Sequence, residues 1–303
     1  ITMYEHLNEP IMLIKTAWGG KSLHTDFRSP SSGDYTFSAK RLASLAKRAK
    51  VSEEEVKAKK KEITGVYYKK MIDHVNNVLA DLGQHHPAYD KEEGYEIAGL
   101  VWFQGWNDMC DTGTYPNQKE AGRFSTYSNL FGHFIRDVRK DLNSPNLPIS
   151  IGVLGVGGYE GNRPDLHPST VDFQKCMAAP ASFPEFKGSV FAVQTGKYWD
   201  FIQSSSQEKM WKIKKEADKI AKTGKFKVEA ADDSNTAKHR AMLAERKAKS
   251  EYEAKRLLEI RTPIEHEASK GSSNRAFHYL GSAKILSRIG EALAMALIEK
   301  KSD

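Results

Sequence analysis

The stretch that decides the fold is Gly99-Leu100-Val101-Trp102-Phe103-Gln104-Gly105-Trp106-Asn107-Asp108, an apolar run that ends at an amide, a glycine, an indole and a carboxylate. Its apolar residues do not alternate with polar ones, which predicts a strand buried on both faces in a mostly parallel sheet. Ligands of open α/β sheets bind at the carboxyl ends of such strands. The polar residues from Gln104 to Asp108 are therefore candidates for a functional site.

A second candidate cluster lies upstream, where residues 10–17 form a predicted strand that runs into Trp18-Gly19-Gly20-Lys21-Ser22. Paired glycines after a strand let the backbone turn sharply and bring N–H groups close to a ligand. This is one way to build an oxyanion hole. An ordinary tight turn is the alternative for a glycine pair that stands alone.

A third cluster is Phe277-His278-Tyr279, which precedes residues 280–297, where apolar residues recur at helical spacing. The pattern predicts a C-terminal amphipathic helix with His278 on the loop before it. Several of the ten histidines, such as His85, His86 and His239, are predicted surface residues. Only its position distinguishes His278 as a candidate.

The remaining pattern alternates strands with helices. Residues 148–155 and 189–194 are further predicted strands, and residues 66–82 and 124–138 carry the apolar stripes of helices. This alternation predicts an α/β fold, a three-layer α/β/α sandwich with a mostly parallel sheet. With 303 residues and 39% hydrophobic content, the chain is expected to form one principal domain over residues 1–303.

Two charged segments, residues 39–62 and 204–262, interrupt this pattern and are predicted to be helical insertions. Their excess of basic residues is larger than the net charge of +7 for the whole chain, so the rest of the chain is acidic. Acidic and basic residues alternate along 240–261, which is typical of a solvated helix with ion pairs and argues against a nucleic-acid surface. A lid, a contact between subunits of a homo-oligomer, and adhesion to an acidic polysaccharide remain as alternative roles.

The sequence contains no pattern typical of a membrane protein, a leader peptide or a metal site. No apolar run approaches the ~18 to 20 residues of a membrane span, and no charged-then-apolar leader is present. Cys110 and Cys176 are either two free thiols or one bridge. No histidine, cysteine or aspartate motif has metal-ligand spacing, so neither a metal nor another cofactor is expected.

In this order, the three clusters resemble the acetylesterases of the SGNH-hydrolase superfamily, specifically the sialate O-acetylesterase (SASA) branch related to carbohydrate esterase family 6. The resemblance covers residues 10–200 and 270–300. It rests on the glycine pair, on a Trp-x-Gln-Gly-x-x-Asp element formed by Trp102, Gln104, Gly105 and Asp108, and on the late His278. It implies an SGNH-hydrolase-like fold, an acetylated carbohydrate as substrate, and export to the periplasm or the extracellular space.

Hydrolysis of an acetyl ester needs donors that face the developing oxyanion, and the candidates are the Gly20 N–H and the Gln104 amide. His278 is the candidate general base and acid, and Asp108 is the carboxylate expected to hold its tautomer. The candidates for binding the sugar provide aromatic faces, as core packing would also explain, or polar groups for hydroxyls and carboxylates. They are Trp18, Gly19, Lys21, Ser22, Arg28, Trp106 and Asn107.

Two departures from the family pattern affect the chemistry. The family's nucleophile is a serine in a Gly-Gln-Ser-Asn-like segment upstream of the glycine pair, and no such segment precedes Gly19 here. We therefore expect the chain to lack its first strand and its serine; Ser22 is a poor substitute because the resemblance places it on the oxyanion side. The family's aspartate three residues before the histidine is replaced by Arg275, which cannot accept the imidazole N–H.

Two functions follow as alternatives. The first is a carbohydrate O-acetylesterase with a serine-histidine mechanism, acting on sialic acid or on an acetylated polysaccharide. The second is a non-catalytic carbohydrate-binding or scaffold protein that retains the esterase fold. In either case residues 1–303 alone are expected to have little or no esterase activity, because the other groups cannot replace an absent nucleophile.

Overall fold

The computed structural model of the chain describes residues 1–115 and 122–299, so the predicted domain boundary at residue 303 lies outside the described residues. The helices and strands are α1 (Thr2–Leu7), α2 (Ala39–Ala49), α3 (Glu53–Ile63), α4 (Val66–Ala80), α5 (Leu82–His85), β1 (Leu100–Trp102), α6 (Trp106–Cys110), α7 (Ser125–Asp141), β2 (Ile149–Val153), α8 (Pro168–Ala178), β3 (Val190–Gln194), α9 (Phe201–Ala221), α10 (Asn235–Ile260), α11 (Pro263–Ser269) and α12 (Ala283–Ile298).

The three strands form one parallel sheet in the order β1-β2-β3. Leu100 pairs with Ile149, and Ile149 pairs in turn with Val190. The central strand β2 is buried along its whole length, because it has a neighbour on each side and helices pack on the sheet. The predicted α/β fold with a parallel sheet is confirmed.

The chain divides into two compact units. The first consists of Ile1–Tyr198 and the described residues from Arg288 onward, and it contains the sheet; the second is Trp199–Ser287 and contains α9, α10 and α11. The prediction of a single domain over residues 1–303 stays a prediction. The predicted insertion at 39–62 forms α2 and α3, and most of 204–262 lies in α9 and α10. Their status as insertions also stays a prediction.

Aromatic side chains dominate the core of the first unit. Trp102 of β1 lies with its ring centroid 4.4 Å from that of Phe134 and 5.4 Å from that of Phe131, both on α7. The apolar stripe predicted over 124–138 is the buried face of α7. Each fully buried side chain of this size contributes about 1.5–3 kcal/mol of transfer free energy, so this face holds α7 on the sheet.

The environment of β1 differs from the prediction that both of its faces are buried. Val101 is 46% exposed and Phe103 is 39% exposed, whereas Trp102 is buried. β1 is an edge strand, and successive side chains of a strand point to opposite faces. Helix α7 covers the face of Trp102, and Val101 on the other face lacks equivalent cover. The prediction was therefore wrong for one face of this strand.

Residues 10–17 do not form the predicted strand. The segment has no strand assignment, and Leu13 is 87% exposed. A strand needs a neighbour to receive its backbone hydrogen bonds, and within the described ranges no strand pairs with this segment. The segment is apolar, but the strand prediction was wrong because an apolar composition does not ensure that a neighbouring strand is present to pair with.

In the second unit, α9 packs against both α10 and α11. Helix α10 begins at the Ser234 cap, whose side chain accepts the Ala237 N–H, and none of its residues is buried. Ion pairs connect it to α9, as in Asp218 with Lys249 and Glu216 with Arg256. This agrees with the interpretation of residues 240–261 as a solvated helix with mixed charge.

The second unit should lose stability in acid through Glu265. Lys209 and then Ser205 lower the pKa of Glu265 to about 2, below the ordinary value for glutamate. A carboxyl with a lowered pKa in the folded state stabilises it above the unfolded pKa, and this contribution is lost as pH falls towards 2. We expect the Tm to fall between pH 5 and 2.5 in thermal scans, and Glu265→Gln to flatten that dependence. Exposed Glu160→Gln is the control, and an unchanged slope in Glu265→Gln would contradict the assignment.

Three further features concern the predicted protein class. Within the described ranges no helix is long and apolar enough to span a membrane. Cys110 and Cys176 are two free thiols, which settles the alternative left open above. Over the same part of the chain, no three side chains of the types His, Cys, Asp or Glu converge in a way that could hold a metal ion.

Candidate active site

The glycine-rich turn and the end of β1 meet at the carboxylate of Asp108. This residue lies on α6, is fully buried, and accepts hydrogen bonds from the backbone N–H groups of Leu23 at 2.8 Å and His24 at 3.1 Å. The Gln104 amide at 2.6 Å and the Tyr115 hydroxyl at 3.0 Å supply two more. Asp108 therefore fixes the turn that follows the glycine pair to the carboxyl end of β1.

Helix α6 can begin close to the core because residue 105 is glycine. A Cβ at Gly105 would lie 3.0 Å from the Phe173 ring and 3.1 Å from the Met177 side chain, both on α8. The close approach of α8 and the start of α6 places Asn107 and Asp108 beside the turn. A glycine here is a packing requirement of the site.

A second pair of contacts fixes the turn at Lys21. The Lys21 carbonyl accepts from Gln104 Nε2 at 3.0 Å and from Asn107 Nδ2 at 3.2 Å. Gly20 has a positive φ of 72°, which favours glycine, and a Cβ there would meet no atom within 4 Å. No hydrogen bond among the described residues uses the Gly20 N–H. The turn is thus fixed on one side and presents an exposed backbone donor on the other.

Burial raises the pKa of Asp108, while His24 and the hydrogen-bond donors favour its ionised form. Burial also raises the pKa of Tyr115 well above the ordinary value, and the adjacent Asp108 adds to this effect. Tyr115 is therefore a neutral donor at physiological pH. The geometry of Asp108 suits a carboxylate that organises backbone groups, since the four hydrogen bonds that it accepts from described residues come from its own unit.

A buried chain of polar side chains lies behind the turn and was not predicted from the sequence. The His24 ring contacts Thr25 Oγ1 through Nδ1 at 2.6 Å and Asp111 through Nε2 at 3.0 Å. Lys60 of α3 donates to the same Thr25 hydroxyl and lies 4.0 Å from the centroid of the Tyr35 ring. These contacts attach α3 to the turn. No sequence spacing links Lys60 with Thr25, so this chain could not be found from the pattern.

An exposed aromatic and cationic patch lies beside the glycine pair. Trp18 is 38% exposed, and its ring centroid lies 5.2 Å from that of Tyr67 on α4. Lys21 Nζ lies 4.1 Å from the Tyr67 centroid and Lys70 Nζ lies 5.1 Å from it. Tyr67 and Asp26 raise the pKa of Lys21, so this amine is a cation. We call these residues, Trp18, Lys21, Tyr67 and Lys70, the aromatic patch.

Other predicted substrate-binding residues have structural partners. The Ser22 hydroxyl and backbone N–H both donate to Asp26 at 2.9 Å. The Arg28 guanidinium donates to four backbone carbonyls, those of His24, Ser32, Gly33 and Asp34. Trp106 packs partly buried against the core. Gly19 is exposed next to Gly20. Substrate contact by these four residues stays a prediction.

His278 lies in the second unit, on the loop before α12. Its ring contacts Asn274 and the ring of Phe277. The next two residues, Tyr279 and Leu280, have positive φ values of 50° and 61°, which is uncommon for residues other than glycine and costs backbone energy. Such strain is a feature of functional loops. The convergence of His278 with Gly20 and Gln104 stays a prediction.

Two predicted catalytic roles, the Asp108–His278 pair and the Gln104 oxyanion donor, involve side chains that already have other hydrogen-bond partners. Asp108 and His278 each have hydrogen-bond partners within their own unit. Both Nε2 protons of Gln104 are used, by Lys21 and by Asp108. The Gln104 oxyanion role and the Asp108–His278 pair therefore stay predictions, and the Gly20 N–H is the donor that this geometry leaves open.

The fold and the site define an α/β protein with a glycine-turn site at the carboxyl end of a parallel strand. The sequence matches the family described as carbohydrate esterase, sialic acid-specific acetylesterase over residues 2–177. The chain belongs to this family, which confirms the resemblance to the sialate O-acetylesterase branch, and placement in the SGNH superfamily is consistent with it. No curated protein and no solved structure matches the chain.

Proposed function

We propose that this protein is a carbohydrate O-acetylesterase with a serine-histidine mechanism, and that its nucleophilic serine is not within residues 1–303. Family membership supports the esterase class. The observation that carries the proposal is the Gly20 N–H, which is exposed on a turn fixed by Asp108, Gln104 and Asn107. A rigid turn with an open backbone donor is what an oxyanion requires.

The chemistry assigns one step to each group. The serine oxygen attacks the acetyl carbonyl while His278 takes the hydroxyl proton, and the Gly20 N–H stabilises the negative charge on the carbonyl oxygen. The C–O bond to the sugar then breaks, and His278 returns the proton to the departing sugar oxygen. Water cleaves the acetyl-serine in the same way and releases acetate.

The free edge of β1 supports the proposed absence of a strand that carries the serine. Within the ranges that the structure describes, β2 is the one strand that pairs with β1, and Val101 is 46% exposed at this edge of the sheet. An exposed apolar edge strand is a site for pairing with a further strand. Such a strand would end at the same edge of the sheet as Gln104, because parallel strands have their carboxyl ends together.

The aromatic patch supports a sugar with a carboxylate as the substrate. A sugar ring can stack on the exposed face of Trp18, and Lys21 and Lys70 place two ammonium groups around Tyr67. Sialic acid and acidic acetylated polysaccharides both provide a ring with a carboxylate. We propose an acetylated acidic sugar as the substrate class.

Trp18→Ala should weaken glycan binding about two- to tenfold, since stacking on one aromatic ring contributes about 0.5–1.5 kcal/mol. Isothermal titration of the 303-residue chain with sialic acid and with neutral sugars measures this without any need for turnover. Tyr95→Ala removes another exposed aromatic side chain of the same unit and is the matched control. Equal glycan affinity in wild type and Trp18→Ala would show that the aromatic patch is not part of the substrate site.

Hydrolysis of p-nitrophenyl acetate by a chain extended towards the N-terminus tests the proposed activity. We expect turnover in the extended chain and little or none in residues 1–303. The alternative function is a carbohydrate-binding or scaffold protein, which the two committed amide protons of Gln104 favour. An extended chain that binds glycans and cleaves no acetyl ester would establish this alternative.

A further inference from the structure

The loop of His278 contains a residue that orients the imidazole. Asn274 Oδ1 lies 3.0 Å from His278 Nδ1, one helical turn earlier in the sequence. The same Oδ1 atom lies 2.8 Å from the backbone nitrogen of Arg275. A backbone N–H only donates, so the atom at this position is the oxygen of the amide and not its nitrogen.

The identity of that atom decides the tautomer of the histidine. An amide oxygen only accepts, so Nδ1 of His278 must carry the proton that it shares with Asn274. In the neutral imidazole the other nitrogen, Nε2, then has a free lone pair. This is the protonation state of a general base whose Nδ1 side is held in place.

Two hydrogen bonds fix the backbone of Asn274. Its backbone N–H donates to the Leu280 carbonyl at 2.9 Å, and its carbonyl accepts from the buried Gln207 side chain of α9. The Leu280 N–H closes the loop by donating to Arg275 O at 3.1 Å. The strained turn at Tyr279 and Leu280 is thereby held, and with it the distance between Asn274 and His278.

Arg275 does not compete for the imidazole. Its guanidinium lies 4.8 Å from the ring of Trp211 on α9. The replacement of an acidic residue at this position, which appeared from the sequence to remove the orienting group, is therefore matched by an acceptor one residue earlier.

We propose that Asn274 is the positioning residue of His278, which it holds as the Nδ1–H tautomer with Nε2 free for proton transfer. The catalytic meaning of this tautomer rests on the proposed esterase function. The tautomer itself is a property of the 303-residue chain and can be measured on it without activity.

Two-bond ¹H–¹⁵N correlation spectra of the ¹⁵N-labelled chain at pH 8 distinguish the two neutral tautomers, and His278→Gln identifies the signal. We expect the Nδ1–H form in the wild type, its loss in Asn274→Leu, and its return in Asn274→Asp, which restores an acceptor oxygen. Arg275→Gln keeps the backbone N–H and Asn274, and it should leave the tautomer unchanged. Circular dichroism checks that each variant is folded.

A wild-type His278 in the Nε2–H form overturns the inference, even if Asn274→Leu fails to fold. Retention of the Nδ1–H form in folded Asn274→Leu also overturns it, because a group other than Asn274 would then hold the ring. In an active extended chain, Asn274→Leu should lower kcat about 10²–10⁴-fold with little change in KM, and Asn274→Asp should retain most of the activity. Correct tautomers without esterase activity would reject the proposed function and leave the positioning intact.

Discussion

His278→Ala in a chain that carries the nucleophile is expected to lower kcat/KM for acetyl esters by at least about a thousandfold. General acid–base catalysis by a positioned histidine contributes about 10²–10⁴-fold, and here one imidazole both removes the serine proton and returns it to the sugar oxygen. A thousandfold loss corresponds to about 4 kcal/mol of transition-state stabilisation. Steady-state hydrolysis of p-nitrophenyl acetate measures the effect.

The matched control is His239→Ala on the exposed helix α10, which should leave kcat/KM unchanged. KM for a sugar acetate should change little in His278→Ala, because the alanine removes a transition-state interaction and leaves the aromatic patch intact. Activity of His278→Ala within tenfold of the wild type would show that another residue is the base. The assignment of the late histidine would then be wrong.

Asp108→Asn is expected to lower the free energy of unfolding by about 2–6 kcal/mol, because the two buried donors on one carboxylate oxygen would each lose their acceptor. The amide replaces one carboxylate oxygen by a donor, which would face other donors from the turn, from Gln104 or from Tyr115. A buried donor that loses its acceptor costs about 1–3 kcal/mol. Urea denaturation followed by tryptophan fluorescence gives the value.

Asp165→Asn, at an exposed ion pair with Arg163, is the control and should change stability by no more than about 0.5 kcal/mol. Tyr115→Phe removes a single donor from Asp108 and should cost about 1–2 kcal/mol, which gives a graded result if Asp108→Asn is too unstable to study. Equal stability of wild type and Asp108→Asn would mean that the carboxylate does not organise the turn.

Much of the fold could be predicted because its strongest signals are periodic. The apolar stripe over 124–138 repeats at helical spacing and is the buried face of α7, and the run before Gln104 is β1. The prediction for residues 10–17 failed because a strand depends on a neighbour as well as on its own residues. The same reason explains the exposed face of β1, which lies at the edge of the sheet.

Some residues of the site could likewise be predicted from the sequence, and others could not. The glycine turn and the Gln104–Asp108 segment were found because each carries unusual residues at short spacing, and the structure brings them together through Asp108 and Lys21. Lys60 on α3 and Tyr67 on α4 were missed because they approach the turn from distant parts of the sequence. Asn274 precedes Arg275, which the sequence did single out, but only the loop conformation places the Asn274 side-chain oxygen next to His278.

The sequence by itself determined the α/β class, the parallel strand that precedes Gln104, and the family. These properties follow from local spacing and residue type. Only the tertiary structure decided that Asp108 organises the turn, that the Gly20 N–H has no acceptor among the residues described, and that Asn274 faces the imidazole. Hydrogen bonds are directional and short, so which groups pair depends on backbone positions that chain order does not specify.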